Sequence, residues 1–348
     1  MSSTGTSTSA LSHSIDRSLT WLAETQTPTG ELEAHASALD SGPPQWVPDP
    51  LKFITALGAV ALDEVDDQRA RRVVDRAVEF LRREQETMAQ WRYWAQSNQQ
   101  FDFTPPDADD TACCSLAVAT RGFRTGSNVP VLLGNRDGAG RFYTWLVPHR
   151  PSPDPRRAWA MRDEYRSIVK RRRDELWTTT EAHRDDVDAV VNTNVIRYLG
   201  PRRAPAAAVE WVASIIEANL EDDCDAWHRN RFTLYAAIAD AHLRGIKGFQ
   251  KVAEPIAERI RERLNDDGTV GSPLDSALAL LALQGFNGDE EARAALANGL
   301  VASQADDGSW QRSIFYYGGP SEVFGWASEA LTTAWATQAL DRHRRNSR

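Results

Sequence analysis

The chain has 348 residues, 41% of them hydrophobic, which is enough for one large core or two ordinary domains. Its 40 basic and 49 acidic residues give a net charge of −9, which argues against a general affinity for nucleic acid or for an anionic membrane surface. The three cysteines form neither a disulfide framework nor a paired Cys-x-x-Cys metal motif, and no apolar run reaches the roughly 18 residues of a transmembrane helix. We therefore expect a cytoplasmic protein whose Ser/Thr-rich residues 1–14 are a disordered tail.

A repeated unit begins near the start of the chain. Residues 21–30 combine a helix end with a polar turn, and the same form returns from Gln85 to Trp91 and, over the same interval, from Gln304 to Trp310. Partial copies lie at residues 211–227 and 264–270. Degenerate repeats of this kind predict stacked helix pairs and require no strands.

Helical periodicity runs through most of the remaining chain, because apolar residues recur at intervals of three and four. The predicted helices span 51–62, 68–85, 187–199, 204–220, 231–243, 256–264, 273–283, 290–303 and 327–340. Paired helices in this number predict an all-α protein with a single (α/α)6 barrel. We find no domain boundary, so we expect one domain from residue 15 to 341, followed by a basic tail at 342–348.

An acidic cluster marks the start of a further helix. Pro105 and Pro106 end the preceding segment, and Asp107, Asp109 and Asp110 then lead into apolar residues. A capping cluster in solvent would explain such residues without any chemistry, since the helix dipole favours acids at a helix start. Three carboxylates in four positions cannot all ionise in a dry environment, however, so one of them would retain a proton. A neutral carboxylic acid beside an apolar cavity can donate that proton to an alkene.

Residues 107–112, Asp-Ala-Asp-Asp-Thr-Ala, resemble the acid motif of class II terpene cyclases, the group of squalene-hopene and protonation-initiated diterpene cyclases. The repeats that end in Trp resemble the QW repeats of the same superfamily, which serve as scaffold, and residues 326–334 resemble the closing helix of its bacterial members. The resemblance implies that Asp109 is the proton donor and that Asp107 and Asp110 set its orientation and acidity. It also implies a monodomain cyclase, because the chain has room only for the acid-bearing domain.

A second acidic cluster, at residues 185–188, begins the helix in which Asn192, Thr193 and Asn194 interrupt an apolar sequence. Aligned by its end, this helix resembles the cyclase helix whose histidine contacts the acid, and Asn194 falls at the place of that histidine. An asparagine can form a hydrogen bond with the acid but cannot carry a positive charge, so the family's scheme for activating the acid is in question. The alternative is a helix start whose buried amides are paired internally.

Cyclisation through carbocations requires aromatic walls, whose ring faces stabilise positive charge. Phe101 and Phe103 immediately precede the acid, although each aromatic residue considered separately is more often core packing than lining. Further candidates are Trp91, Tyr317 and Phe324. The residues that we assign to the wall are Trp46, Trp94, Phe101, Phe103, Tyr235, Phe315, Tyr316 and Trp326.

Residues 148–173 depart from the helical pattern, with repeated prolines followed by a basic run. They form either a solvated charged surface or a clamp for a diphosphate, in which case Mg²⁺ could accompany the substrate. Asp222 to Cys224 offer the first half of a prenyltransferase-like zinc site. The later helix has no histidine for the second half, since His228 and His242 are close in sequence and His343 lies in the terminal tail. We therefore expect no metal site and no required cofactor.

The resemblance implies a class II terpene cyclase that protonates the terminal alkene or epoxide of a small linear isoprenoid or prenylated substrate, as a monomer or homodimer. One rival is a carbohydrate-active α/α barrel, in which Asp188 or Glu329 would supply a second carboxylate. Another is a helical scaffold that only binds a partner. A closed aromatic cavity at Asp109 favours the cyclase, a polar groove favours the hydrolase, and a filled barrel favours the scaffold.

Overall fold

The computed structural model describes residues 8–147 and 175–347, which contain thirteen α-helices and four short strands. The predicted basic excursion at 148–173 lies outside these residues. In chain order the elements are α1 Thr8–Thr25, β1 His35–Ala38, β2 Val47–Pro48, α2 Lys52–Asp63, α3 Gln68–Arg83, α4 Ala108–Ala119, α5 Val129–Gly134, α6 Glu175–Thr179, α7 Ala189–Leu199, α8 Ala206–Ala218, α9 Arg231–Leu243, α10 Ala253–Arg261, α11 Pro273–Gly285, α12 Glu290–Ala302, β3 Ser313–Tyr317, β4 Phe324–Ser328 and α13 Glu329–Asn346.

Six helices form a closed inner ring. α2 packs on α4, α4 on α7, α7 on α9, α9 on α11, α11 on α13, and α13 returns to α2. Helices α1, α3, α8, α10 and α12 pack outside this ring, each against an inner helix. The prediction of an all-α protein with a single (α/α)6 barrel is therefore confirmed.

The inner helices α4, α7 and α11 are buried on nearly every face because they contact neighbours on both sides and on the outside. α11 illustrates this, since nearly all of its residues are buried and small alanines alternate with leucines. At its end, a side chain on Gly285 would come within 2.7 Å of the Ala239 side chain on α9. Small residues thus allow the close approach of α9 and α11.

The repeated turns fasten outer helix ends to the turns that follow them. Gln304 on one such turn donates hydrogen bonds from Nε2 to the carbonyls of Gly308 and Ser14, at 2.8 and 2.9 Å. The Trp310 indole nitrogen donates to the Leu300 carbonyl at 2.8 Å, and the Trp91 indole donates to Leu81 in the same way, at 2.9 Å. These polar contacts satisfy carbonyls at helix ends, which explains why the pattern recurs.

A four-stranded antiparallel sheet, in the order β2-β1-β4-β3, was not expected from the sequence. It joins residues before α2 to residues before α13, with Ala36 paired to Trp326 across the long sequence separation. Tyr316 lies opposite Trp326, and a register shift between Ile314 and Tyr316 interrupts β3. The sheet therefore positions aromatic side chains at the end of the barrel where inner helices begin.

Both ends of the described chain are helical further than expected. α1 begins at Thr8, inside the predicted tail 1–14, because Leu11 and Ile15 are buried in the core. α13 continues through most of the predicted basic tail 342–348, where Asp341 forms ion pairs with Arg344 and Arg345. Within residues 8–147 and 175–347, no helix combines the length and apolar character needed to cross a membrane.

Candidate active site

The three aspartates of the acidic cluster lie buried at the start of α4. Asp107 is the N-cap, and one of its carboxylate oxygens accepts a hydrogen bond from the Asp110 backbone nitrogen at 2.7 Å. The exposed fractions of Asp107, Asp109 and Asp110 are 5%, 5% and 3%. This excludes the interpretation of a solvated capping cluster, although Asp107 does cap the helix.

Each carboxyl oxygen of Asp109 has a hydrogen-bonding partner that lies on another inner helix or just before one. Asn194, in the middle of α7, donates from Nδ2 to Asp109 Oδ1 at 2.7 Å. His228, three residues before α9, lies with Nε2 2.9 Å from Asp109 Oδ2. The carboxyl group of Asp109 is thus held across three consecutive helices of the ring.

A tight turn fixes His228 in this position. Asp225 Oδ1 accepts hydrogen bonds from the backbone nitrogens of Trp227 and His228, at 3.0 and 2.7 Å, while Oδ2 accepts one from Val190 on α7. Burial alone would lower the pKa of His228, but the hydrogen bond to Asp109 and the charge of Asp225 outweigh it and raise that pKa. These contacts favour the imidazolium form, with a proton on Nε2 directed at Asp109.

The other two aspartates are buried beside each other, and both resist ionisation. Burial raises the pKa of Asp107 well above its usual range, and the charge of Asp110 adds to this effect. Burial also raises the pKa of Asp110, to about 7. Crowded carboxylates in a dry site cannot all ionise, as the sequence suggested, and here burial and the neighbouring negative charges raise the pKa of both flanking aspartates beside Asp109.

A cavity of about 790 Å³ opens at the end of the barrel that carries the sheet, and Asp107 is the member of the acidic cluster that lines it. Tyr316 packs over the acid site, stacked on Tyr93 with ring centroids 4.9 Å apart and edge-on to His228 at 5.1 Å. Eight aromatic side chains line its walls: Tyr93, Trp94, Phe103, Trp145, Trp227, Tyr316, Phe324 and Trp326.

Asp49 orients two of these walls. Its Oδ2 accepts hydrogen bonds from the indole nitrogens of Trp94 and Trp326, at 3.0 and 2.6 Å. Trp94 also packs edge-on against Phe103, with ring centroids 5.9 Å apart. The polar edges of both indoles are therefore occupied, and the aromatic rings form the wall.

The eight aromatic residues singled out in the sequence occupy several environments. Trp94, Phe103, Tyr316 and Trp326 line the 790 Å³ cavity. Phe315 instead lines a smaller inner cavity of about 60 Å³, which also contacts Asn194 and His228.

The remaining three aromatic candidates lie away from both of these cavities. Phe101 packs beneath the cations of Lys52 and Arg92, whose charged groups lie 4.8 and 4.3 Å from its ring centroid. Tyr235 is fully buried and donates its hydroxyl to Glu221 at 2.7 Å. Trp46 is half-buried and lines neither cavity.

Two further carboxylates considered from the sequence are also away from the 790 Å³ cavity. Asp188 caps α7 and accepts hydrogen bonds from the Thr144 hydroxyl and the Ala226 backbone, at 2.5 and 2.8 Å. Glu329 is paired with Arg312 at 3.3 Å. In the part of the chain that the structure describes, no group of three or more His, Cys, Asp or Glu side chains is arranged to hold a metal ion.

The sequence did not reveal several residues of this site. His228 had been considered only as a possible zinc ligand, and Tyr93, Trp145, Trp227 and Asp49 were not proposed. Asp49, Trp227 and His228 share a positional signal, because each lies three or four residues before an inner helix, whereas Tyr93 and Trp145 have no such signal. An aromatic or charged residue before a predicted inner helix is therefore a better candidate than one inside an outer helix.

Comparisons with known proteins identify the fold. No family model matches the chain, and no curated protein matches it. Among solved structures, a protein from Actinoplanes is 21% identical, with a TM-score of 0.68 over 96% of this chain and 99% of its own. A variant of the type II terpene cyclase MstE from Scytonema, in complex with its substrate geranylgeranyl dihydroxybenzoate, is 17% identical, with a TM-score of 0.70 over 97% and 98%.

A possible member of the GH105 family from Klebsiella pneumoniae is more distant, at 13% identity and a TM-score of 0.57 over 98% of this chain and 94% of its own. At these identities the similarity establishes the fold. The chain has a class II terpene cyclase-like fold, in the single-barrel form of the bacterial enzyme MstE.

Proposed function

We propose that this protein is a class II terpene cyclase in which Asp109 protonates the terminal alkene or epoxide of a linear isoprenoid or prenylated substrate. The observation that carries the proposal is the pair of hydrogen bonds to Asp109, from Asn194 at 2.7 Å and from His228 at 2.9 Å, in an acidic cluster whose first member, Asp107, lines an aromatic cavity. After protonation, the substrate forms rings through carbocation intermediates.

The two partners of Asp109 strengthen it as an acid. When Asp109 gives up its proton, a negative charge develops on its carboxyl group, and both the Asn194 amide and the His228 imidazolium already point at that charge. Fixed donors in a site with little water stabilise a developing charge more than water does, since they need no reorganisation. His228 thereby supplies the positive charge that Asn194 cannot carry.

The cavity suits a substrate that becomes a cation. Its volume of about 790 Å³ falls within the usual range of small-molecule sites, about 300–1,000 Å³. Aromatic faces stabilise a nearby positive charge without reacting with it. Their apolar surface also keeps out water, which would otherwise capture a carbocation before ring closure is complete.

The proposed reaction is balanced by proton transfer and needs no oxidant or reductant. The proton of Asp109 adds to one alkene carbon, a neighbouring alkene attacks the cation to form a carbon–carbon bond, and the last cation loses a proton or is captured by a nucleophile. No electron transfer occurs, so the scheme requires no redox cofactor. Mg²⁺ belongs to the proposal only if the substrate carries a diphosphate.

The structural neighbour MstE suggests the first substrates to test, since its substrate is geranylgeranyl dihydroxybenzoate, a prenylated aromatic compound. For the hydrolase alternative, a second carboxylate would have to face Asp109 across the cavity. The two residues considered for that role, Asp188 and Glu329, are instead engaged with Thr144 and Arg312. The open cavity with eight aromatic side chains supports the cyclase over a filled scaffold, and the engagement of Asp188 and Glu329 removes the two carboxylates considered for the hydrolase.

The proposal is tested by incubating the protein with farnesyl diphosphate, geranylgeranyl diphosphate and prenylated dihydroxybenzoates, followed by mass spectrometry of the products. We expect cyclic product from the wild type and none from Asp109→Asn, which preserves the size of the side chain but cannot donate the acid proton. Asp102→Asn is the matched control, because the Asp102 side chain is 55% exposed and lies outside the acid site. Equal product from Asp109→Asn and the wild type would remove Asp109 from the role of acid.

A further inference from the structure

A chain of polar contacts leads away from the acid on the side of Asn194. Arg197 follows Asn194 by three residues on α7, so the two side chains share a helix face. Arg197 Nη1 donates to Asn194 Oδ1 at 2.5 Å, and Asn194 Nδ2 donates to Asp109 Oδ1 at 2.7 Å. Asn194 is therefore held at both ends of its amide.

Arg197 is itself held by the next helix of the ring. Its Nε and Nη2 atoms lie 2.8 and 2.7 Å from Oδ2 of Asp240 on α9, and Arg244 also contacts that oxygen at 2.8 Å. Burial would raise the pKa of Asp240, but the charges of Arg197 and Arg244 overcome this and hold it at about 2. Asp240 is thus a stable anion, and the side chain of Arg197, only 10% exposed, is fixed against it.

The chemistry of arginine decides the orientation of the amide. A guanidinium group has only donors, so the oxygen of Asn194 must face Arg197, and its NH₂ group must face Asp109. In the reversed orientation the amide oxygen would accept a hydrogen bond from the neutral acid. The proton of Asp109 would then be engaged with Asn194 and unavailable to a substrate.

We propose that Arg197, anchored by Asp240, is a positioning residue that fixes Asn194 as a hydrogen-bond donor to Asp109 and so leaves the acid proton free for the substrate. This inference rests on the proposed cyclase function. Arg197 acts through Asn194 and requires no contact with the substrate.

The test removes Arg197 without leaving an unpaired buried charge, because a lone Asp240 would destabilise the fold. The pair variant Arg197→Met/Asp240→Asn is expected to lower kcat by about 10- to 100-fold. This is the factor by which one charge-assisted hydrogen bond favours one orientation of the Asn194 amide over the reversed one. KM should be unchanged. Arg197→Lys, which retains a donor-only cation, should restore much of the rate. Arg244→Met, which removes the other partner of Asp240, should behave as the wild type.

A double-mutant cycle separates positioning from a general structural effect. In an Asn194→Ala background, the pair variant should lower kcat no further than about twofold, since the residue through which Arg197 acts is gone. The same 10- to 100-fold loss in that background would overturn the proposal.

A crystal structure of the pair variant, at a resolution that distinguishes amide nitrogen from oxygen, gives a second readout that does not depend on turnover. We expect the Asn194 amide to reverse or to leave Asp109, and an unchanged amide would refute the role of Arg197. A wild type that forms no cyclic product contradicts the proposed function, whereas the amide orientation decides the role of Arg197 separately.

Discussion

Substitution of His228 isolates the contribution of a cation beside the acid. His228→Phe removes both the hydrogen bond to Asp109 and the positive charge, while a six-membered ring retains the packing against Phe53 and Tyr316, whose centroids lie 5.7 and 5.1 Å from the imidazole. His228→Gln offers a side chain that can still donate a hydrogen bond but has no charge. The order of activity should be wild type, then Gln, then Phe.

The size of the effect follows from the geometry. A buried, charge-assisted hydrogen bond contributes about 1.5–3 kcal/mol, and removal of one donor to a developing oxyanion typically lowers kcat by about 100- to 1,000-fold. We expect His228→Phe to lower kcat by about 100-fold or more and His228→Gln by about 10-fold. KM should change little, because the ring of His228 lies beneath Tyr316, away from the 790 Å³ cavity.

The assay is initial rate of cyclic product against pH, measured for the three proteins by quantitative mass spectrometry. The pKa of His228 is raised above 6.5, so the imidazolium is present at low pH and is lost as pH rises through that higher pKa. The wild-type kcat should therefore fall as pH rises through this pKa, and this fall is the alkaline limb of the pH profile. In His228→Gln the dependence due to the imidazole should disappear. A His228→Phe variant as active as the wild type, or a His228→Gln variant with an unchanged alkaline limb, would refute the reasoning.

Two further predictions concern stability. Asp110→Asn should stabilise the protein above pH 7 by up to about 4 kcal/mol, because the pKa of Asp110 rises from 3.8 to about 7 on folding and each unit corresponds to about 1.4 kcal/mol. Urea unfolding at a series of pH values measures this gain in stability, which should be absent below pH 3.8, grow as pH rises to about 7 and then remain constant. A gain independent of pH would contradict the electrostatic cause. Trp310→Phe removes the hydrogen bond to the Leu300 carbonyl and leaves a space in a fully buried site. It should destabilise the protein by about 2–4 kcal/mol without changing the product. An unchanged urea midpoint or an altered product would contradict a purely structural role.

The barrel could be predicted because its signals are local. α9 spans the predicted residues 231–243, and α11 begins at the predicted residue 273, where Ser272 and Asp275 form a capping box before an apolar, Ala-rich sequence. Each inner helix carries its own periodicity, and the polar turns mark the helix ends. The acidic cluster was also visible, because Asp107, Asp109 and Asp110 follow two prolines within one short segment.

The partners of the acid were harder to find because their signals are not local. His228 is 119 residues from Asp109 in sequence, and only the turn built on Asp225 brings its ring to the carboxyl group. The sheet was missed for a related reason, since strands of two to five residues have little periodicity and Ala36 pairs with Trp326 far along the chain. Contacts that form only when the helices close into a barrel cannot be derived from the pattern of one helix.

In the proposed reaction, the arrangement of charge around Asp109 separates two tasks that one residue could not perform. Burial raises the pKa values of Asp107 and Asp110, so both resist ionisation beside Asp109. His228 and Asn194 instead point donors at Asp109, which favours the carboxylate left after proton transfer. An acid must be both protonated before the reaction and strongly acidic during it. The flanking aspartates serve the first requirement by limiting the negative charge in the site, and the two donors serve the second.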